Sequence, residues 1–391
     1  MINPINAISV WRTFHFISLN IILAIVFSSF IYSASNPVSI DVSITTISNG
    51  SGTGAATTGD YDYVATVGSV LNISKTHLGP QGTTSWFKLK PGEPTDVVVI
   101  TDAANTTASP STGKLRCDKV GITTIQADVV LGGVHKSPLP EKKIMVIEPL
   151  NITINRRGST GSQDLAVGGL ETDPHIGDVK VSYGLPASNI TIKICLINGG
   201  GGIVPSSEQW YIPGAVFKKS LLIMNGLSFE HGSTDPISVQ VSGSGQLIGS
   251  LRSSNRIEST TIQATVCGLV FTKNVLFIPG TMQITAPDTI MMDQWAPYTI
   301  KSSIDSQGMD GHTVIICVES ITPVVGDSMS AVLGSTEAES QPLIDWVDFN
   351  LPHSATASHV VNSTGEGNGT LRVHHMLSSY QLRAVDINVL Q

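Results

Sequence analysis

Carboxylates and histidines are the residues of this 391-residue chain whose spacing could support catalysis or metal binding. Acidic residues cluster at Asp60 and Asp62 and again between Asp305 and Asp310, and such carboxylates could bind calcium at a junction between domains. Neither cluster has the ligand spacing of a dedicated calcium loop. Ordinary turn residues are therefore the alternative to a calcium site.

The ten histidines are scattered, and only His374 and His375 are adjacent. These two lie on a predicted strand, where neighbouring side chains point to opposite faces, so we expect no shared metal ion. Neither a Gly-x-Ser-x-Gly elbow nor a His-Glu-x-x-His motif occurs after residue 35. We predict a protein that is not an enzyme; the minor alternative is enzymatic activity, such as an ancillary role in polysaccharide breakdown.

The most apolar stretch of the last third of the chain surrounds Trp295 and Tyr298, with Met291 and Met292 just before them. Two interpretations stay open. The stretch packs in a core or at a domain junction, or Trp295 and Tyr298 form an exposed contact patch.

The composition of the chain excludes a further class of function. Charged residues make up 13% of the chain and the formal net charge is −8. No cluster of lysines and arginines is present that could follow a phosphate backbone, so nucleic-acid binding is not expected. The abundance of Gly, Ser, Thr, Val and Ile favours strands and turns.

Residues 1–35 have the pattern of a secretory signal peptide. Arg12 precedes an apolar stretch from Phe14 to Tyr32, and small residues follow at Ser33, Ala34 and Ser35, with cleavage predicted after Ser35. A transmembrane anchor is the rival interpretation, because the apolar stretch is about long enough to cross a bilayer. Both interpretations place the rest of the chain outside the cytoplasm, secreted or at the cell surface, and we expect no membrane span in the mature chain if the signal is cleaved.

Strand patterns dominate the rest of the sequence. Apolar residues alternate with polar ones from Val38 to Ile44, which is the period of a half-buried strand. Short apolar runs then recur between Gly, Pro, Asn and Asp residues at intervals typical of a β-sandwich, and no sustained helical periodicity appears after residue 35. The sequence predicts an all-β protein.

A long-period repeat divides the chain. The phrase Gly113-Lys114-Leu115-Arg116 returns in the forms that begin at Gly249 and Gly369, 136 and then 120 residues later. These spacings suit whole domains in tandem. We predict three domains, at residues 36–148, 149–280 and 281–391. One tryptophan precedes each phrase, and we expect each to fill a domain core rather than to stack on a ligand: Trp86, Trp210 and Trp346.

A second phrase follows each of these, ending at Ala127, Ala264 and Ala384. The order of a tryptophan strand, a Gly-x-Leu-Arg strand and a strand with apolar-x-Ala resembles bacterial immunoglobulin-like domains of the intimin and invasin type. The resemblance implies three tandem immunoglobulin-like β-sandwich domains. Domains of this type serve as spacers, adhesive modules and building blocks of surface layers.

Four cysteines suit an oxidising compartment without forming a dense disulfide framework: Cys117, Cys195, Cys267 and Cys317. The order Cys195, Trp210, Cys267 looks like that of an antibody-type domain. Strand alternation places both cysteines on outward faces, which argues against a bridge unless a bulge reverses one strand. Two alternatives therefore stay open: a disulfide between Cys195 and Cys267, or a free thiol at each of them. Cys117 shares the face of Leu115, so we expect it to be buried.

We predict an exported structural subunit of a surface assembly, such as a surface layer or filament, whose partners are itself or other surface proteins. An adhesive module that binds a protein or glycan is the alternative. If the third domain lacks its last strand, the segment Val38–Ile44 of a neighbouring molecule could complete it. The other interpretation makes that segment the first strand of its own domain.

Overall fold

The computed structural model describes residues 39–47, 53–56, 60–78, 83–131, 133–135, 140–198, 218–291, 294–320, 331–334, 353–373 and 380–389. Every regular element in these ranges is a β-strand, which confirms the all-β prediction. The chain separates into two compact units, Met1–Ile147 (unit 1) and Glu148–Gln391 (unit 2). A search of the described ranges for a helix able to cross a membrane finds none.

In unit 1, the residues that the structure describes form two sheets. The strands of the first, in spatial order, are β1 (Ser39–Ile47), β4 (Val70–Leu78), β7 (Ser111–Cys117) and β6 (Val98–Asp102). Those of the second are β2 (Gly54–Ala56), β3 (Tyr63–Thr66), β10 (Glu141–Ile147), β8 (Gly121–Leu131) and β5 (Thr84–Leu89), with β9 (Val134–His135) paired to β8. Strand β10 runs antiparallel to β8 and parallel to β3.

The core of unit 1 forms where apolar residues alternate along these strands. Phe87 belongs to this core together with Leu71, Ile73 and Leu115. Trp86, its neighbour in β5, is half-buried on the opposite face. The prediction of Trp86 as a core aromatic is therefore wrong, because adjacent strand residues face opposite sides and the register of β5 turns Phe87 inward.

The described residues of unit 2 form four sheets, which are arranged as two pairs along the chain. In the middle pair, the strands of the first sheet are, in spatial order, β11 (Asn151–Arg156), β13 (Ile176–Gly184), β18 (Ser244–Arg252), β15 (Leu221–Met224) and β16 (Leu227–Glu230). Those of the second sheet are β12 (Leu165–Ala166), β20 (Leu269–Ile278), β19 (Ser259–Val266), β14 (Ile190–Asn198) and β17 (Ile237–Val241). In the C-terminal pair, the strands of the first sheet are, in spatial order, β21 (Thr281–Thr285), β22 (Trp295–Ile304), β27 (Glu366–Val373) and β25 (Ala331–Gly334), with β23 (Gln307–Gly308) paired to β22. Those of the second sheet are β26 (His353–Val360), β24 (Thr313–Ser320) and β28 (Tyr380–Asp386).

The Gly-x-Leu-Arg phrases occupy matching places in these sheets. They lie on β7, β18 and β27, and each of these strands is third in its sheet. The leucines Leu115, Leu251 and Leu371 are all buried. At Gly249 a Cβ atom would collide with the backbone oxygen of Ile223 on β15, so only glycine permits this strand pairing.

The domain count of three stays a prediction. The compact division of the chain falls after Ile147, and the two sheet pairs that follow belong to one unit. Strand β20 ends at Ile278 and β21 begins at Thr281, so the predicted limit at residue 280 lies between two strands inside unit 2.

Strand β1 belongs to its own unit. It pairs antiparallel with β4 over its whole length, from Ser39 opposite Leu78 to Ile47 opposite Val70. The hypothesis that this segment completes a neighbouring molecule is therefore not supported, because its backbone is already hydrogen-bonded within the chain. The structure agrees with the other interpretation, in which this segment is the first strand of its own domain.

Candidate functional site

The predicted contact patch is split between two faces of β22. Trp295 is 38% exposed, whereas Tyr298 is only 2% exposed and lies in the core of the C-terminal sheet pair. The Tyr298 hydroxyl lies 2.6 Å from Nε2 of His359, and burial raises the pKa of Tyr298. Tyr298 is thus a core residue and not part of a patch, since residues three apart on a strand face opposite sides.

Cys195 and Cys267 are free and half-buried. Cys195 lies opposite Gln263 in the β14–β19 pair, and Cys267 follows the end of β19 in the same sheet. Four residues along a strand separate Cys267 from Gln263, a distance of roughly 13 Å that no disulfide spans. The disulfide alternative is thereby corrected: an antibody-type bridge joins two sheets, and these cysteines share one.

Cys117 is fully buried beside Leu115, as its place on β7 predicts. Burial raises the pKa of its thiol to about 12. The remaining predicted positions lie outside the described residues or side chains: Trp210, Trp346, His374, His375, Met292 and the side chain of Cys317.

Two of the acidic residues considered for calcium, Asp62 and Asp305, are engaged in protein contacts. Asp62 accepts hydrogen bonds from Lys142 Nζ and from the backbone N–H of Lys143. Asp305 pairs with Arg156. In the parts of the chain that the structure describes, no group of three or more metal-ligating side chains is placed to hold an ion.

The first site that the sequence did not reveal is the junction inside unit 2 between the middle and C-terminal sheet pairs. Arg156, at the end of β11, has a fully buried side chain whose Nη2 donates to Asp305 Oδ2 at 2.7 Å. Gln307 Nε2 donates to the carbonyl oxygen of Arg157 at 2.8 Å. Thr172 Oγ1 donates to the carbonyl oxygen of Asp310 at 2.8 Å. These hydrogen bonds join the two sheet pairs.

Two buried histidines complete this junction. Their rings are stacked, and Nε2 of His175 lies 2.5 Å from Nε2 of His312. His175 Nδ1 faces the carbonyl oxygen of Thr172 at 3.0 Å, and His312 Nδ1 faces Asp386 Oδ2 at 2.5 Å. If His175 Nδ1–H donates to the carbonyl oxygen of Thr172, His175 Nε2 accepts a hydrogen bond from the Nε2–H of His312. Asp386 lies on β28, so the histidine pair also contacts the last sheet of unit 2.

Burial lowers the pKa of His175 to about 3, and repulsion from His312 and Lys218 acts in the same direction. His175 is thus neutral at physiological pH and acts only as a hydrogen-bonding group. His175 and His312 are 137 residues apart, and each lies beside turn residues in the sequence. No local pattern connects them, which is why the sequence did not reveal the pair.

The second site is the outer edge of β28. The equivalent strands of the other sheets are paired on both sides: β8 lies between β5 and β10, and β19 lies between β14 and β20. Strand β28 pairs with β24 on one side, and no strand within the described ranges pairs with its other side.

No known family model matches this chain, and no curated protein matches it in sequence. Among solved structures, the D00-D0 domain of intimin is 11% identical with a TM-score of 0.23, and the match covers 58% of this chain and 99% of that one. InvD of Yersinia pseudotuberculosis is 10% identical with a TM-score of 0.21, covering 82% of each chain. An alpha-2-macroglobulin of Salmonella is 12% identical with a TM-score of 0.21, covering 86% of this chain and 22% of that one.

Intimin is the protein type that the repeated phrases resemble. The structural likenesses are loose at these TM-scores, so the proposals below rest on the chain's own residues.

Proposed function

We propose that the chain is an exported structural protein that works outside the cytoplasm as a subunit of a surface assembly. Two features of the chain support this proposal: the export signal predicted in residues 1–35, and a mature region built of β-sheets. The observation that carries the proposal is the fixed junction inside unit 2.

Domains joined within one chain normally move relative to each other unless the interface between them is large or strongly bonded. Here a buried arginine, Arg156, and two fully buried histidines, His175 and His312, lie between the two sheet pairs. A subunit that repeats the same contacts in a closed or extended assembly must hold its contact surfaces in a constant relation. A bonded junction supplies that constancy, whereas a module that searches for soluble ligands does not need it.

Sedimentation velocity of the purified chain from residue 36, over a wide range of protein concentration and with or without calcium, tests the proposal. We expect species that are larger than the monomer and of discrete size, and their share of the total protein should rise with protein concentration. Asp305→Asn, which weakens the junction, should reduce their size or uniformity. Asp178→Asn is the matched control, because the Asp178–Arg157 pair is exposed and lies within the middle sheet pair. A monomer under every condition contradicts the proposal.

A binding module for a protein or glycan is the second candidate, and the outer face of unit 1 favours it. Trp86 meets the ring of His135 edge to face, with ring centres 6.0 Å apart. Asp128 beneath them accepts from Lys88 Nζ at 2.5 Å and lies 3.0 Å from His135 Nδ1. A half-buried aromatic ring beside charged groups is a typical protein or sugar contact.

Binding of the wild-type chain and of Trp86→Ala to an array of glycans and extracellular matrix proteins separates the two candidates. Phe87 fills the core behind Trp86, so the substitution should leave unit 1 folded. Loss of a specific signal in Trp86→Ala favours the binding module. Absence of any signal from the wild-type chain excludes the ligands of the array as partners.

A further inference from the structure

Each histidine of the buried junction pair is anchored in its own sheet pair. His175 directly precedes β13, and its carbonyl oxygen accepts the backbone N–H of Ser253 within the middle sheet pair. His312 directly precedes β24, and its carbonyl oxygen accepts the backbone N–H of Val361 within the C-terminal sheet pair. The two rings therefore meet across the junction. If the sheet pairs move apart, the rings separate without loss of these main-chain bonds.

The hydrogen bonds of the pair leave one atom of His175 for an additional proton. Nδ1 of His175 faces the carbonyl oxygen of Thr172 at 3.0 Å, and a carbonyl oxygen can only accept a hydrogen bond. Nδ1 therefore carries a hydrogen, and a further proton must bind to Nε2. That atom lies 2.5 Å from Nε2 of His312, which donates to it. The added hydrogen would point directly at another N–H group.

Main-chain atoms close the space beside this contact. A Cβ atom on Gly168 would lie 2.7 Å from Nε2 of His312 and 3.0 Å from Cδ2 of His175. Both histidine side chains are fully buried. The rings therefore cannot shift toward Gly168 without displacing the backbone. Separation of the two sheet pairs is the movement that relieves a clash between the two N–H groups.

The charges around the pair act in the same direction. Nδ1 of His312 faces the Asp386 carboxylate at 2.5 Å, so a positive charge on His312 has an anionic partner. His175 faces His312, the carbonyl and hydroxyl oxygens of Thr172 and, at longer range, the cation Lys218. A positive charge on His175 has no anionic partner among these groups. A buried charge without such a partner is costly.

We propose that the contact between His175 and His312 is a proton-sensitive latch. A proton taken from solvent by Nε2 of His175 separates the two rings, and the middle and C-terminal sheet pairs then move apart while each keeps its own fold. The latch is closed in neutral solution and opens in mild acid. This inference rests on the fixed junction that carries the proposed function, and it adds a condition that releases the junction.

Proton linkage gives the size of the effect. The pKa of His175 is about 3 in the closed junction, because burial lowers it, and 6.5 when the ring is unperturbed. Between pH 7.5 and pH 5 the open form therefore takes up the proton and the closed form does not. The ratio of open to closed molecules should rise about 30-fold over this range. Return to pH 7.5 should close the junction again, because no covalent bond changes.

Small-angle X-ray scattering from the monomer fraction of the full chain, at pH 7.5 and at pH 5, tests the latch. We expect a larger radius of gyration at pH 5 and recovery of the original value at pH 7.5. The same measurement on Asp305→Asn makes the test more sensitive. This substitution removes the ion pair with Arg156 from the junction, so expansion should begin at a higher pH than in the wild-type chain.

Two substitutions test the cause independently. His175→Gln takes up no proton in this range, so this variant should keep its neutral dimensions at pH 5. His312→Gln can turn its amide oxygen toward a protonated His175, so this variant should also stay closed. His135→Gln is the matched control, because His135 is an exposed histidine of unit 1. The control should expand in acid as the wild-type chain does.

Hydrogen exchange at the same two pH values separates opening from unfolding. After correction for intrinsic exchange rates, β13 and β24 should keep their protection at pH 5. The proposal is overturned if neither the wild-type chain nor Asp305→Asn expands, or if the two glutamine variants expand as the wild-type chain does. It is also overturned if β13 and β24 lose protection at the pH where the chain expands.

The latch and the proposed assembly can fail separately, because scattering follows the monomer and sedimentation at pH 7.5 follows assembly. A chain that opens in acid but never assembles supports the latch and contradicts the assembly role. A chain that assembles at pH 7.5 and keeps its monomer dimensions in acid supports assembly and contradicts the latch.

Discussion

His175 and His312 meet through their Nε2 atoms, 2.5 Å apart, inside the bonded junction of unit 2. Two imidazolium rings at this distance would repel each other strongly, so the pair holds at most one positive charge. His312 also lies against Asp386 of β28, so the junction and the sheet formed by β26, β24 and β28 are neighbours.

Acid should destabilise unit 2 through His175. Its pKa is about 3 in the folded chain and 6.5 when unperturbed, so only the unfolded chain takes up this proton as the pH falls. The stability that neutral His175 contributes is complete above about pH 6.5 and is lost progressively toward pH 3. The groups that face it are His312, the Thr172 carbonyl and, at longer range, Lys218.

Urea unfolding at pH 7 and pH 4 measures this effect. We expect His175→Gln to lose less stability between these two pH values than the wild-type chain does. Acidic residues titrate in both proteins, so the comparison isolates the histidine. Equal pH dependence of the two proteins would show that His175 binds a proton in the folded chain.

Asp305→Asn should destabilise unit 2 by about 1 to 3 kcal/mol, because it leaves a buried guanidinium without its anionic partner. The Arg156 side chain is fully buried, although the Asp305 side chain is 67% exposed, which favours the lower part of that range. Asp178→Asn, in an exposed pair with Arg157, should cost only about 0 to 1 kcal/mol. Chemical unfolding of both variants makes the comparison, and equal losses would contradict a special role for Arg156.

Lys75 should make unit 1 more stable in mild alkali. Its ammonium group donates to the carbonyl oxygens of Ser85 and Ala104, each at 2.6 Å, and lies over the ring of Phe87. Burial lowers its pKa to about 8, with Asp102 acting in the opposite direction. Between about pH 8 and 10.5 the unfolded chain keeps a proton that the folded chain has released, so stability rises with pH.

Unfolding of the wild-type chain and Lys75→Met at pH 7.5 and pH 9.5 tests this prediction. The stability difference between them should shift in favour of the wild-type chain at the higher pH. Lys114→Met, at an exposed position on β7, is the control and should show no such shift. A difference that is independent of pH would contradict the release of this proton.

Local patterns predict much of the fold. Alternation along β7 correctly predicts that Leu115 and Cys117 face the core, and the turn residues between apolar runs correctly predict an all-β chain. Alternation also predicts that the side chain of Cys195 points to the opposite face of its strand from the side chains of Ile192 and Ile194, which are buried. These properties depend on neighbours within one strand, where side-chain direction follows from the period of two.

Properties that depend on pairing between distant strands could not be predicted. Size alone favours Trp86 over Phe87 as a core residue, but the register of β5 against β8 decides which one turns inward. The same limit applies to Tyr298, which the sequence groups with Trp295. The pairing of Cys195 and Cys267 depends on which sheet each strand joins, and the junction histidines come from segments 137 residues apart.

The free cysteines lead to the last prediction. Iodoacetamide should modify Cys195 and Cys267 in the folded chain, because both are partly accessible and neither is bonded to the other. Burial raises the pKa of both thiols, so their modification should be slower than that of a small free thiol and should accelerate as the pH rises.

Cys117 is the internal control for this experiment. It is fully buried with a pKa of about 12, so it should react only after unfolding. Mass spectrometry of tryptic peptides after labelling under non-reducing conditions gives the result for each cysteine. A peptide linked through Cys195 and Cys267 would contradict the structure, because the β14–β19 register holds the two residues too far apart to bond without a shift of one strand.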